Sequence, residues 1–281
     1  MSTMKRVLAP AKIKLCLHVL AKRADGYHEL AMLMQRIALF DVLDVKLVAG
    51  CEVSVTCPGL ELINSEQNIV EKAARLLLDH VGLSHGVAVL LKKNIPVAAG
   101  LGGGSSDAAA VLVALNELLG LELPRAELIA LGLRLGADVP FFLYEQTAWV
   151  TGIGEHMQPW PGLPPVTLVL VNPGIAVSTA WIFQNLGLTR SRPTARIPGF
   201  PERASDLVRL LHNDLEVVTC QHHPVITTIK ERLVANGANG ALMSGSGPTV
   251  FGLFDEPSCA EQAAQILSSE TNWWVKVVNL L

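Results

Sequence analysis

The sequence predicts an α+β fold built as two domains with largely antiparallel sheets. Three observations predict it. Short runs with an apolar residue at every second position recur between turn residues, the pattern of half-buried strands. Other stretches carry apolar side chains three and four residues apart, the spacing of one helix face. Near the middle, Pro159 to Pro165 (PWPGLPP) sets four prolines in seven residues, where neither a helix interior nor a ladder continues. That segment marks a boundary, so the expected domains are 1–158 and 159–281.

Within the first domain, Ile13, Leu15, Leu17 and Val19 alternate with Lys14, Cys16 and His18, as in a strand. Residues 22–28 (KRADGYH) turn at Asp25-Gly26. Residues 37–48 and 51–57 are further strands on either side of Gly50. Residues 68–81 form a helix with Ile69, Ala73, Leu76 and Leu77 inward and Glu71, Lys72, Arg75 and Asp79 outward, ended by Gly82. A strand follows at 87–92. Residues 100–104 are a turn, and a helix opens at Ser105 or Ser106 and runs to about Leu119. Residues 124–135 form another helix and 141–150 a strand. In the second domain, 166–171 is a strand and 184–205 an irregular loop carrying Arg190, Arg192, Arg196 and Arg203. Helices are expected at 206–220 and 224–236, the latter opening on proline and closing at Gly237. A strand at 250–254, a helix at 259–268 and a strand at 273–281 complete the chain.

Composition excludes several functions. The 281 residues are 50% hydrophobic and 17% charged, enough to fill a substantial core. The formal net charge of -3, from 22 basic and 25 acidic side chains, argues against a nucleic-acid partner, because binding a phosphate backbone needs a surplus of cations. No run reaches 18 apolar residues, so no membrane partner is expected. Five scattered cysteines, Cys16, Cys51, Cys57, Cys220 and Cys259, lack zinc-site spacing and suit a reducing, cytoplasmic location as small hydrophobes. His212, His222 and His223 have no carboxylate or cysteine group at ligand spacing. Solvent or helix-end positions are expected for them, and no residue is assigned to a metal.

Pro96, Val97, Ala98, Ala99, Gly100, Leu101, Gly102, Gly103, Gly104, Ser105 and Ser106 form the most informative run. Four glycines in five positions permit unusual backbone conformations and remove side chains that would hold an anion away from the amides. The helix that follows adds unpaired N–H groups and the positive end of its dipole. Ser105 and Ser106 can donate to phosphate or complete a Mg²⁺ shell. The run lacks the lysine of a GxxxxGK[ST] loop, so backbone must supply most of the grip and positive charge must come from elsewhere. Lys12, Lys14 and the arginine loop are the candidates. A tight loop with a serine-capped helix is the bland alternative.

Three separated motifs carry a resemblance that covers nearly the whole chain. They are Pro10-Ala11-Lys12-Ile13-Lys14-Leu15 with Arg23-Ala24-Asp25-Gly26-Tyr27-His28, the glycine-serine run, and Gly245-Ser246-Gly247-Pro248-Thr249-Val250-Phe251. The chain resembles the 4-diphosphocytidyl-2-C-methyl-D-erythritol kinases, a family of the GHMP kinase superfamily. The resemblance implies an N-terminal domain like ribosomal protein S5, a ferredoxin-like C-terminal domain and an active site in the cleft between them. It implies ATP as phosphate donor, Mg²⁺, and the 2-hydroxyl of the diphosphocytidyl-methylerythritol as acceptor, in the non-mevalonate route to isoprenoid precursors. A small molecule is thus the expected partner, with the chain a monomer or weak homodimer.

The family's catalytic lysine and aspartate fall on Lys12 and Asp138. Its cytosine-binding tyrosine and histidine fall on Tyr27 and His28, and a second aromatic on Phe183. Gly245, Ser246 and Gly247 fall where backbone amides meet phosphate or substrate. Read alone, several of these are ambiguous. Asp138 after Gly136-Ala137 also fits a helix end, Lys12 a solvated strand face, and Gly245 to Gly247 a plain tight turn. Two departures from the family pattern stand out. Lys14 replaces the usual Asn and shares a strand face with Lys12, where a second cation could touch phosphate or lower the Lys12 pKa. Ala98 replaces a frequent Gly, with little effect expected. Another GHMP kinase acting on a small alcohol would keep the glycine loop without needing Tyr27 and His28. A nucleotide-binding regulator without turnover would need neither Lys12 nor Asp138.

Overall fold

The computed structural model describes residues 3–59, 68–187, 199, 201 and 203–281. They fall into two compact units. The first comprises Met1–Ala11, Leu39–Val97 and Gly102–Glu145, and the second Lys12–Ala38, Ala98–Leu101 and Gln146–Leu281. Two long strands, β1 (Met4–Lys22) and β2 (His28–Val48), each contribute to both units.

In the first unit, β3 (Val53–Thr56) lies parallel to β4 (Gly86–Lys92), and β4 runs antiparallel to β2 from Val42 opposite Lys92 to Val48 opposite Gly86. Helices α1 (Ile69–Val81), α2 (Gly103–Leu118), α3 (Arg125–Leu135) and α4 (Val139–Tyr144) pack on one another. Asn68 caps α1 by accepting from the Val70 amide, and Gly82 ends it in the left-handed region at φ 67°. The buried face of α1 is Val70, Ala73, Ala74, Leu77 and Leu78, rotated from the expected one. Glu71, expected outward, is buried, because Arg75 one turn on donates to it from Nε and Nη2 at 3.0 and 2.8 Å.

Two sequence expectations are corrected here. Residues 139–144 are helical rather than strand, and β5 (Ala148–Gly152) begins only afterwards. A short apolar run such as Phe141-Phe142-Leu143 fits either structure. Pro140 in the first helical turn loses no hydrogen bond there. The α2 helix begins at Gly103 rather than at a serine, which places both serines inside its first turns.

In the second unit, β5 pairs with the N-terminal half of β2 and with β6 (His156–Pro159). Then come β7 (Thr167–Asn172), α5 (Thr179–Gln184), α6 (Ala204–Leu207) and a 3-10 turn at Val208–Leu210. The two-residue strand β8 (His212–Asn213) pairs parallel with β1, and α7 (Asp214–His222) follows it directly. The single helix expected over 206–220 is therefore broken. Pairing of His212 and Asn213 with a strand about 200 residues earlier overrides local helix propensity. Arg190, Arg192 and Arg196 lie outside the described residues.

The chain then forms α8 (Val225–Ala235), β9 (Gly240–Met243), β10 (Val250–Phe254), α9 (Pro257–Glu270) and β11 (Trp274–Asn279). The sheet order β11-β7-β10-β9 is antiparallel throughout, with α8 and α9 packed against it. Counting β7 as first, this is the βαββαβ arrangement of a ferredoxin-like domain. Val169, Val171, Ile226, Ile229, Leu233, Phe254, Ala263 and Leu267 fill its core.

Candidate active site

In the first unit, the site begins at the N-terminus of α2. Gly102 is the N-cap at φ 72°, a conformation that side chains rarely adopt. The Ser106 amide donates to the Gly102 carbonyl at 2.9 Å, so the amides of Gly103, Gly104 and Ser105 precede the first intrahelical bond. No acidic residue occupies the first turn. The glycines are not equivalent. A Cβ on Gly103 would sit 3.0 Å from Ile95 Cγ2 and 3.1 Å from Lys93 Nζ, so a side chain there would push on both neighbours. A Cβ on Gly104 would meet only Ile69 Cγ2, at an ordinary 3.6 Å. Neither packing nor backbone strain requires glycine at 104, which leaves the approach of a ligand to its amide. Gly104→Ala is therefore expected to leave stability unchanged or slightly raised. It should raise the KM for ATP about 10- to 100-fold, the worth of one or two hydrogen bonds to a charged group. Steady-state kinetics beside a thermal melt checks both halves.

Below this helix end lies a buried ion cluster. Lys93 pairs with Asp41 and, at 2.7 Å, with Asp107. Asp41 Oδ1 also accepts from the Asn94 and Ile95 amides at 2.6 and 2.9 Å, which pins the chain just before the glycine run. Asp41 is fully buried and Asp107 nearly so. Burial pushes the Asp107 carboxyl up to about 7. Lys93 opposes this rise and Asp41 adds to it. Burial works against the Lys93 charge, but Asp107 and Asp41 outweigh it and raise its pKa. The buried oxygens Ser106 Oγ and Asp107 Oδ1 have no hydrogen-bond partner among the described residues.

Asp138 occupies the N-cap position of α4, half-buried, and makes no capping hydrogen bond with its side chain. The helix-end reading of this residue thus holds for its backbone but does not employ its carboxylate.

In the second unit, Lys12 on β1 is almost wholly buried. Its amide donates to the Leu101 carbonyl at 2.9 Å and its Nζ donates to the Gly100 carbonyl at 2.8 Å. Ser244 Oγ donates to the same carbonyl at 3.0 Å. Gly100 is locked in this grip, since a Cβ there would lie 2.1 Å from the Ser244 carbonyl oxygen. Lys12 therefore anchors the start of the glycine loop, a role that sequence reasoning did not assign it. Ala98 adopts φ 52°, so the position where the family often has Gly carries left-handed backbone on an alanine.

Gly245 and Gly247 both have positive φ, and the Gly247 amide is engaged by the Ser244 carbonyl at 3.1 Å. That leaves Gly245 and Ser246 as the amides of this turn that could face a ligand. Lys12 Nζ and Lys14 Cδ lie 3.8 and 4.0 Å from where a Gly245 Cβ would be, so both lysines border this turn. Asn213 holds the turn from below, donating to the Met243 and Gly245 carbonyls at 2.8 and 2.7 Å while capping α7. Ser246 Oγ is 2.7 Å from Thr179 Oγ1 on α5.

The aromatic candidates also meet in this unit. His28 stacks on Phe183 with ring centroids 4.9 Å apart and planes 25° apart. Burial, and then Lys22, lower the His28 pKa below its usual value. Tyr27 is 59% exposed on a turn held by Asp25 Oδ1, which accepts from its amide. It is not a core residue. Sequence reasoning missed Asp41, Lys93, Asp107, Ser244 and Asn213. The only available signal was an unusual Lys-Lys-Asn before the glycine run and a His-Asn-Asp that interrupts a helical stretch.

Comparison with known proteins fits these observations. Residues 68–146 match the model of the GHMP kinase N-terminal domain and 197–272 that of the GHMP kinase C-terminal domain. The chain is 54% identical over 270 residues to the 4-diphosphocytidyl-2-C-methyl-D-erythritol kinase of Syntrophotalea carbinolica, covering 96% of each chain. The chain belongs to the 4-diphosphocytidyl-2-C-methyl-D-erythritol kinase family. A second member, from Geobacter metallireducens, is 51% identical and is covered to 97%, as is this chain. A crystal structure of a 4-(cytidine 5'-diphospho)-2C-methyl-D-erythritol kinase superposes with a TM-score of 0.79 at 38% identity, covering 98% of this chain and 99% of the other. Homoserine kinase from Cytophaga hutchinsonii, at 20% identity and a TM-score of 0.75, shares the fold, with 100% of this chain and 95% of that one covered. The enzyme is thus a kinase with the GHMP nucleotide-binding fold. Among its described residues no helix is long and apolar enough to cross a membrane.

Proposed function

We propose that the enzyme transfers the γ-phosphate of ATP to the 2-hydroxyl of 4-diphosphocytidyl-2-C-methyl-D-erythritol, a step toward isoprenoid precursors. The observation that carries the substrate is the aromatic group of the second unit. A stacked His28–Phe183 pair and a neighbouring exposed Tyr27 offer ring faces and a polar edge to a nucleobase, and Tyr27 has no part in the core. The family's other members are named for this substrate.

The roles follow from the chemistry of each group. The α2 amides from Gly103 to Ser105 bind the ATP phosphates, with the helix dipole favouring their charge. Asp138 accepts the proton of the attacking hydroxyl, late in a loose transition state, and orients it before then. Lys12 stabilises negative charge on the acceptor oxygen, while its hydrogen bond to Gly100 steadies the loop. The Gly245 and Ser246 amides meet the substrate on a turn closed by Gly247, and Lys14 adds a second cation beside them. Mg²⁺ suits the donors present, because the unsatisfied buried oxygens of Ser106 and Asp107 are hard ligands. When bound there it supplies charge neutralisation for the phosphates.

A cytosolic, monomeric or weakly dimeric enzyme belongs to the same reading. So does a domain boundary at 158/159, which falls between the stretches that match the two family models. Tyr27→Ala should raise the KM for the cytidyl substrate by about tenfold or more, from lost base stacking of roughly 1–3 kcal/mol, with the KM for ATP little changed. Equal effects on both would remove the base clamp. The function itself is tested by transfer of labelled phosphate from ATP to a panel of alcohols. The panel includes the full substrate and the same compound without its cytidyl half. Strong preference for the full compound is expected. Equal transfer to both would point to a kinase of small alcohols instead.

A further inference from the structure

We propose that His18, His212 and Asp214 form a binding site for a divalent transition-metal ion of the zinc class. One donor atom from each of these residues lies within 4.8 Å of the other two. Strand register brings them together. In the parallel pairing of β1 with β8, Cys16 stands opposite His212 and Leu17 opposite Asn213. Side chains two apart on a strand share a face, so His18 projects on the same side as Cys16, towards His212. Asp214, the next residue but one after His212, opens α7 beside them. The His18 and His212 rings stack with centroids 4.4 Å apart. His212 Nε2 lies 2.9 Å from Asp214 Oδ1, and Asp214 Oδ2 accepts from the Val19 amide at 2.8 Å.

Two imidazoles and one carboxylate form a donor set suited to Zn²⁺, Co²⁺ or Ni²⁺, with a fourth position left for water. Mg²⁺ prefers an all-oxygen shell and is a poor competitor for it. The Val19 amide fixes the carboxylate, as outer-shell hydrogen bonds do in metal sites. An ion lies in the plane of each imidazole that binds it, so two nearly parallel rings cannot both bind as they stand. His212, with 45% of its side chain exposed, has room to turn. On loading, its ring leaves the stack and its contact with Asp214 in favour of the ion. The ion then ties β1 to the start of α7 around Asn213, the residue that holds the Gly245 turn. Occupancy thus stiffens a turn that the kinase uses.

Co²⁺ is the probe, titrated into the full-length, metal-free enzyme and followed by its visible absorption. Saturation at one ion per chain is expected, with displacement by Zn²⁺ and indifference to about 10 mM Mg²⁺. His212→Ala and His18→Gln should each weaken binding by about tenfold or more, whereas His156→Ala should leave it unchanged. Melts of the metal-free variants confirm that each is folded, and wild type should gain thermal stability with Zn²⁺ that His212→Ala does not. Absence of saturable absorption up to about 1 mM Co²⁺ would overturn the proposal. So would equal affinity in wild type and both histidine variants, which would place the ion on other histidines or on the exposed thiols of Cys51 and Cys259.

Discussion

Asp138→Asn should lower turnover by about 10²- to 10⁴-fold, the usual worth of a positioned general base, while the affinity for ATP stays within about threefold. Asparagine keeps the size of the side chain and can still hydrogen-bond the acceptor hydroxyl, but it cannot take its proton. The loose transition state of phosphoryl transfer requires the base late, so the lower part of that range is expected. Single-turnover transfer and an independent ATP-binding titration separate the two quantities. Turnover near wild type would remove Asp138 from the chemistry. Lys12→Ala should behave differently. Its ammonium also holds the Gly100 carbonyl, so its loss should raise the KM for ATP as well as lower turnover.

The largest effect on stability is expected at the Lys93–Asp41–Asp107 cluster. Lys93→Met leaves two buried carboxylates without their cation, which should lower stability by about 3–5 kcal/mol. The loss should be larger at pH 8 than at pH 5, because at pH 5 Asp107 carries a proton. The wild type shows the same logic. Burial pushes its folded Asp107 up to about 7, from an ordinary 3.8. Between those values the unfolded chain releases a proton that the folded chain keeps, so stability falls as pH rises from about 4 to 7 and then levels. From pH 5 to 8 this one group contributes a fall on the order of 2–3 kcal/mol. The Lys93 contribution is fully present below its unfolded pKa and lies outside this window. Asp107→Asn should flatten the profile. Urea unfolding at several pH values measures it, and matching slopes in wild type and Asp107→Asn would sink this assignment.

Much of the fold was legible locally. The strand expected over Ile13 to Val19 lies in β1, although Lys14 and Cys16 on its second face are buried as well, and the glycine run is a loop leading into α2. Those patterns depend on neighbours two to four residues apart, and a single sequence displays them. The Phe141-Phe142-Leu143 run was misread because a short apolar stretch has no period that separates helix from strand. The stretch from 206 to 220 was misread because its strand pairing partner lies near residue 16. Among the candidate site residues, Tyr27, His28, Phe183 and the glycine turns stand in motifs that a single sequence displays. The cluster beneath α2 was not, since Asp41 and Lys93 are 52 residues apart.

Sequence by itself determined the strand and helix alphabet, the side-chain-free entrance to α2 and the kinase family. Tertiary structure alone decided that Lys12 grips Gly100, that Asp107 shares one buried cation with Asp41, and that His18 meets His212. The reason is range. Backbone preference and periodicity act along the chain, whereas burial, charge pairing and strand register act through space between segments that no local pattern connects.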